Sequence, residues 1–200
     1  MAHVELKDGD IILYKFKGFI PKVISFFTRS KWSHVSIVTS DKADGRISIV
    51  EANMGRNAVT ETHSMTFHKA EEIVVLSAPT MTTGEKIMLR RVINKYVGMK
   101  YEHSIVQFLK FVIPGLKNKP RTETMLYCSE LVKMILKDLP KLIDSNKFDA
   151  FNKVISGRYP VSPADFADEY SPIHMVLTNL CGYTISDPIS ISSHKKTSKK

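Results

Sequence analysis

The sequence predicts an α+β fold, a small antiparallel sheet packed against helices. Three observations carry this. Short apolar or alternating blocks dominate the chain up to about residue 80, and apolar residues at helical spacing dominate after it. The dipeptide Asp44-Gly45, between two such blocks, marks a hairpin turn. Strands and helices do not alternate along the chain, which argues against a parallel sheet with crossover helices.

Asp8-Gly9-Asp10 reads as a turn into a short buried strand, Ile11 to Tyr14. Ile20, Val23, Ile24 and Phe27 then follow at helical spacing, with Pro21 tolerated in the first turn. That spacing predicts a helix facing the core, with Lys22 and Arg29 left in water. Val35 to Thr39 alternates as a strand, and Ile47 to Ala52 is its hairpin partner. A turn centred between Ala43 and Asp44 makes paired residue numbers sum to 87. His34 then lies opposite Asn53, and Glu51 is its diagonal neighbour on the same face. A slip of one residue would send Glu51 to the other face. Glu72 to Ala78 is a further strand. Thr83 reads as the N-cap of a helix in which Ile87, Met88, Val92, Ile93, Tyr96 and Val97 repeat up to Gly98. Ser104 to Ile113 is a second helix, ended by Pro114-Gly115, and 118–121 is a loop. Cys128 to Leu139 is a third, stopped by Pro140, with Leu131, Val132, Ile135 and Leu136 on one face.

A chain of 200 residues with 43% hydrophobic and 24% charged residues has the composition of one globular domain. We expect that domain over residues 1–189 and a flexible basic tail over 190–200, which carries Lys195, Lys196, Lys199 and Lys200. The net charge of +9 owes much to those lysines, and no helix carries a basic stripe with interleaved aromatics, so nucleic acid is not an expected partner. The charged start, Met1 to Asp10, is unlike a secretory leader, and a cytoplasmic location is expected. Two cysteines are too few for a disulfide scaffold. The seven histidines show no close ligand spacing, no second cysteine lies near Cys128, and no glycine-rich phosphate loop is present. No metal and no cofactor are expected.

Three segments carry the chemistry: Trp32-Ser33-His34-Val35-Ser36-Ile37-Val38, Ile49-Val50-Glu51-Ala52 and Tyr127-Cys128-Ser129-Glu130-Leu131-Val132. Cys128 falls at a helix start, where partial positive charge favours a thiolate and free backbone N–H groups can hold an oxyanion. A small apolar residue packed in the core is the other reading of the same cysteine. His34 alone would be an ordinary strand histidine. With Glu51 beside it, one ring nitrogen is fixed by a carboxylate and the other can take a thiol proton. A solvent-facing strand residue is the alternative for Glu51, against which stand its apolar neighbours Ile49, Val50 and Ala52.

These segments, in this order, resemble the circularly permuted branch of the NlpC-type papain-like cysteine peptidase and amidase superfamily. Gly9-Asp10-Ile11-Ile12, Gly98-Met99-Lys100-Tyr101 and Ser162-Pro163-Ala164-Asp165-Phe166 are similar to further landmarks, and the resemblance spans roughly residues 8–170. It implies a permuted papain-like fold with Cys128 as nucleophile, His34 as base and Glu51 as the residue orienting the histidine. Tyr127 is a weaker candidate for substrate binding. The segment after Pro172, with Cys181, has no counterpart.

A Cys–His pair performs acyl transfer through a thioester. The expected function is that of a thiol hydrolase acting on an amide bond of a small peptide, cell-wall peptide or amino-acid conjugate. The alternatives are a lipid acyltransferase or phospholipase of the lecithin:retinol acyltransferase type, and a non-enzymatic binding module on the same fold. Phe19, Phe26 and Trp32, among Lys22, Arg29 and Lys31, are the residues through which a membrane would be touched, but helical spacing favours the core.

Overall fold

The computed structural model describes residues 5–40, 46–63, 69–101, 125–139, 152–154 and 161–191. Over these the chain forms β1 (Ile11–Phe16), α1 (Phe19–Thr28), β2 (His34–Ser40), β3 (Ile47–Asn53), a 3₁₀ turn (Met54–Arg56), β4 (Ala58–Thr62) and β5 (Ala70–Ser77). It continues through α2 (Thr83–Tyr96), β6 (Lys100–Tyr101), β7 (Met125–Leu126), α3 (Cys128–Lys137), α4 (Ala164–Ala167), α5 (Pro172–Asn179), β8 (Thr184–Ile185) and β9 (Ile189–Ser190). The strands make one sheet in the order β7-β6-β4-β3-β2-β1-β5-β8, with β9 also on β5. Every pair is antiparallel except β6 with β7. The molecule is α+β, an antiparallel sheet packed against helices, and the sheet is larger than expected, with nine strands.

The four strands legible in the sequence, β3, β2, β1 and β5, are contiguous in the sheet. Each is covered on both faces, which is why they read as almost continuous apolar blocks. On one face Ile11, Leu13, Val35, Ile37, Val50 and Leu76 pack with Leu89 and Ile93 of α2, Leu131 and Ile135 of α3, and Phe166 of α4. On the other, Ile12, Tyr14, Val38, Ile49, Ile73 and Val75 form a smaller core with Leu6. The β2–β3 register runs from Ile37 opposite Val50 to Ser40 opposite Ile47, so the paired numbers sum to 87 as the turn position requires. The turn itself, 41–45, lies outside the described residues.

Helix α2 starts one residue earlier than expected. Thr82, not Thr83, is its N-cap, because Glu85 stands three residues on. Glu85 N donates to Thr82 Oγ1 at 3.3 Å and Thr82 N donates to Glu85 Oε2 at 2.6 Å, a reciprocal capping box. Helix α3 ends at Lys137, close to the expected stop. The helix expected over Ser104 to Ile113 and the loop at 118–121 lie outside the described residues.

Helix α1 spans the expected segment. Of the face expected to turn to the core, Val23 and Ile24 are half-buried and the side chains of Ile20 and Phe27 lie outside the described residues, while Phe19 and Phe26, off that face, are 81% and 76% exposed. The helix joins β1 to β2, adjacent antiparallel strands. Trp32, after the helix, is buried.

The tail boundary also shifts. Ser190, assigned to a flexible tail, pairs with Glu72 in β9, and Ile191 N donates to Glu71 O at 2.9 Å. Ile189 and Ile191 pack against the smaller core, which gives this stretch something to bury. Residues 192–200 lie outside the described residues.

Candidate active site

His34 is the first residue of β2 and Cys128 the first residue of α3. Glu51 lies within β3. The register that pairs β2 with β3 brings the carboxylate onto the imidazole: His34 Nε2 and Glu51 Oε2 are 2.6 Å apart. The side chain of Cys128 lies near enough to the same imidazole to raise its pKa. With Nε2 engaged by Glu51, Nδ1 is the ring atom left to serve the sulfur. The structure thus brings together His34, Glu51 and Cys128. All three are shielded: the His34 side chain is 16% exposed, Glu51 2% and Cys128 7%.

Burial works against a charged imidazole here, but the interactions with the Cys128 side chain and the Glu51 carboxylate outweigh it, and His34 is pushed up to about 10. Burial likewise works against a charged Glu51. The bonds from His34 and Asn53 and the nearby charge of Arg56 win, and its carboxyl is held below the usual glutamate range. The favoured state of the pair is a carboxylate with an imidazolium.

Asn53 holds the carboxylate from the far side, a role the sequence reading did not assign. Its Nδ2 donates to Glu51 Oε1 at 2.8 Å, while its Oδ1 accepts from Arg56 N at 3.2 Å and caps the 3₁₀ turn. Register arithmetic had placed Asn53 opposite His34, which was the available signal. Tyr14 and Phe16 form an aromatic wall on the imidazole. Their rings are stacked on each other at 5.3 Å and lie 5.5 and 5.7 Å from the His34 ring. Tyr14, fully buried and paired with His34 across β1–β2, shares a 2.7 Å hydrogen bond with Ser36 Oγ, and burial raises its phenol pKa.

The cysteine is set by the start of α3. Tyr127 is the extended N-cap residue, and the first helical bond runs from Leu131 N to Tyr127 O at 2.9 Å. The N–H groups of Cys128 and the two residues after it precede that ladder, and they are the donors a helix start offers to an oxyanion. Ser129 Oγ donates to Val161 O at 2.6 Å, which ties this turn to the Ser162-Pro163 segment. That segment is itself braced: Asp165 accepts from Ser162 N at 2.8 Å, Ser162 Oγ at 2.9 Å and Ser171 Oγ at 3.3 Å. The late Ser-Pro landmark is therefore a buttress for the cysteine helix. Tyr127 is half-buried with its hydroxyl out of solvent. Cys181 is buried in the main core. Among the described residues no three His, Cys, Asp or Glu side chains converge so as to hold a metal ion.

No model of a known protein family matches the chain, and no curated protein matches it. Among solved structures it is similar to the metalloprotein yiiX from Escherichia coli O157:H7, with a TM-score of 0.61 and 18% sequence identity over 92% of this chain and 98% of that one. At that identity the likeness is one of fold alone.

Proposed function

We propose that this chain is a thiol hydrolase on a circularly permuted papain-like fold, in which Cys128 is the nucleophile, His34 the base and Glu51 the residue that orients it. One observation carries the reading: a single buried imidazole holds a carboxylate at 2.6 Å on Nε2 and has the only cysteine at a helix start among the described residues on its other side.

In the proposed cycle the Cys128 sulfur attacks a carbonyl carbon while His34 holds the thiol's proton. Backbone N–H groups at the start of α3 take the developing oxyanion. The carbon–nitrogen bond breaks as His34 gives that proton to the leaving amine, leaving a thioester. Water, giving a proton to His34, attacks the thioester and frees the acid and the thiol. The imidazole must face the sulfur in one orientation throughout, and Glu51 with Asn53 supplies that. The fold neighbour is described as a metalloprotein; among the described residues of this chain no cluster of three His, Cys, Asp or Glu side chains is present.

The leading substrate class is the amide of a small peptide or amino-acid conjugate. A lipid ester is the second, favoured by the exposed Phe19 and Phe26 of α1. Intact-mass measurement after incubation with a panel of activated amides and esters tests both. The expected result is an acyl adduct on Cys128 that is absent from Cys128→Ala and that identifies the acyl group. Turnover or adduct formation surviving in Cys128→Ala would overturn the proposal.

A further inference from the structure

Helix α1 presents two large apolar side chains to solvent. Phe19, Val23 and Phe26 fall at positions i, i+4 and i+7, one stripe of the helix, and its two phenylalanines are 81% and 76% exposed. A ten-residue helix is marginal in water without a surface to pack on. The segment 16–33 carries Lys17, Lys22, Arg29 and Lys31 and no acidic residue. Lys17 and Lys31 pair with Glu71 and Glu72 of β5. Lys22 and Arg29 are exposed and, among the described residues, have no acidic partner.

We infer that α1 docks on the surface of an anionic phospholipid bilayer, with Phe19 and Phe26 entering the acyl boundary and Lys22 and Arg29 at the headgroups. The two charges, free of acids, select a negative surface over a second copy of this basic chain. The position of the helix fits this use. Phe16 N donates to Ser33 Oγ at 3.3 Å and Ser33 N donates to Tyr14 O at 2.9 Å, so both ends of the excursion are clamped at the end of the sheet where His34 begins β2. Docking through α1 would turn the candidate active site toward the bilayer. Docking stands on α1 alone; only its consequence, a substrate reached from the membrane surface, rests on the thiol reading.

Co-sedimentation of the full-length chain with vesicles of phosphatidylcholine, with and without phosphatidylserine, tests it. The tail lysines are first changed (K195Q, K196Q, K199Q, K200Q) to remove their contribution. Retained binding to the anionic vesicles is expected. Phe19→Ala with Phe26→Ala should weaken it about tenfold or more, and Lys22→Gln or Arg29→Gln about fivefold each. Because these side chains are exposed, circular dichroism and the Cys128 alkylation rate in solution should not change in the variants. Three results would each overturn the inference: loss of all binding on changing the tail, binding indifferent to the phenylalanines, or a dimer in solution that the phenylalanine variants abolish. Loss of Cys128 reactivity with vesicle binding intact would instead count against the thiol proposal.

Discussion

An imidazole caught between a carboxylate and a thiol can hold only one orientation, and that orientation is checkable without a substrate. Cys128 should alkylate with iodoacetamide faster than Cys181 at neutral pH, read by peptide mapping, because both are buried and only Cys128 has an imidazole and a helix start beside it. His34→Ala should remove that advantage. Asn53→Ala should reduce it several-fold, at a cost of about 1–2 kcal/mol in stability, since it loosens Glu51 and removes the cap of the 3₁₀ turn. Stability against pH gives a second readout. The folded Glu51 is held below its ordinary value of 4.5, so its contribution is present above that pH and is lost as pH falls through the folded value. His34 is raised from 6.5 to about 10, so its contribution is full below 6.5 and is lost as pH rises toward 10. Urea unfolding should therefore find the wild type ahead of Glu51→Gln by about 1–3 kcal/mol near pH 5–6, with the gap closing on both the acid and the alkaline side. His34 and Glu51 were legible in the sequence as a pair because strand register is arithmetic once a turn is located. Asn53 was not, because its role depends on where one amide group points.

Elements differ in how much of their behaviour is local. The capping box of α2 is local, and Thr82→Ala should cost about 1 kcal/mol, seen as a fall of about 2–4 °C in Tm. That box was one residue from the expected cap, since Thr82 and Thr83 are both good caps and only Glu85 chooses between them. The facing of α1 is less local: its spacing sets which residues share a face, and the strands it joins, β1 and β2, set what that face meets. Two-residue ladders such as β6 and β8 have no periodicity to read, because what defines them is the neighbouring strand.

At the scale of the whole molecule, the two ends of the described chain meet on one strand. β5 pairs with β1 on one side and with β8 and β9 on the other, and Tyr183 OH donates to Gly9 O at 3.2 Å. A chain ending at Pro188 would lose Ile189 and Ile191 from the smaller core and two backbone pairings with β5. Its denaturant midpoint should fall measurably, and a chain ending at Ile191 should keep it. This closure was hidden in the sequence because the stretch after Pro188 is rich in serine and lysine, and two isoleucines carry the docking.

The pairing of His34 with Glu51 has a consequence in time. Both belong to a hairpin near the amino end, whose register needs only its own turn, whereas Cys128 arrives much later in the chain. During synthesis the acid–base half of the site leaves the ribosome before the sulfur it would activate. The imidazole and the carboxylate therefore meet in a hairpin complete at Asn53, and Cys128, 75 residues further along, can join them only once α3 has emerged and docked.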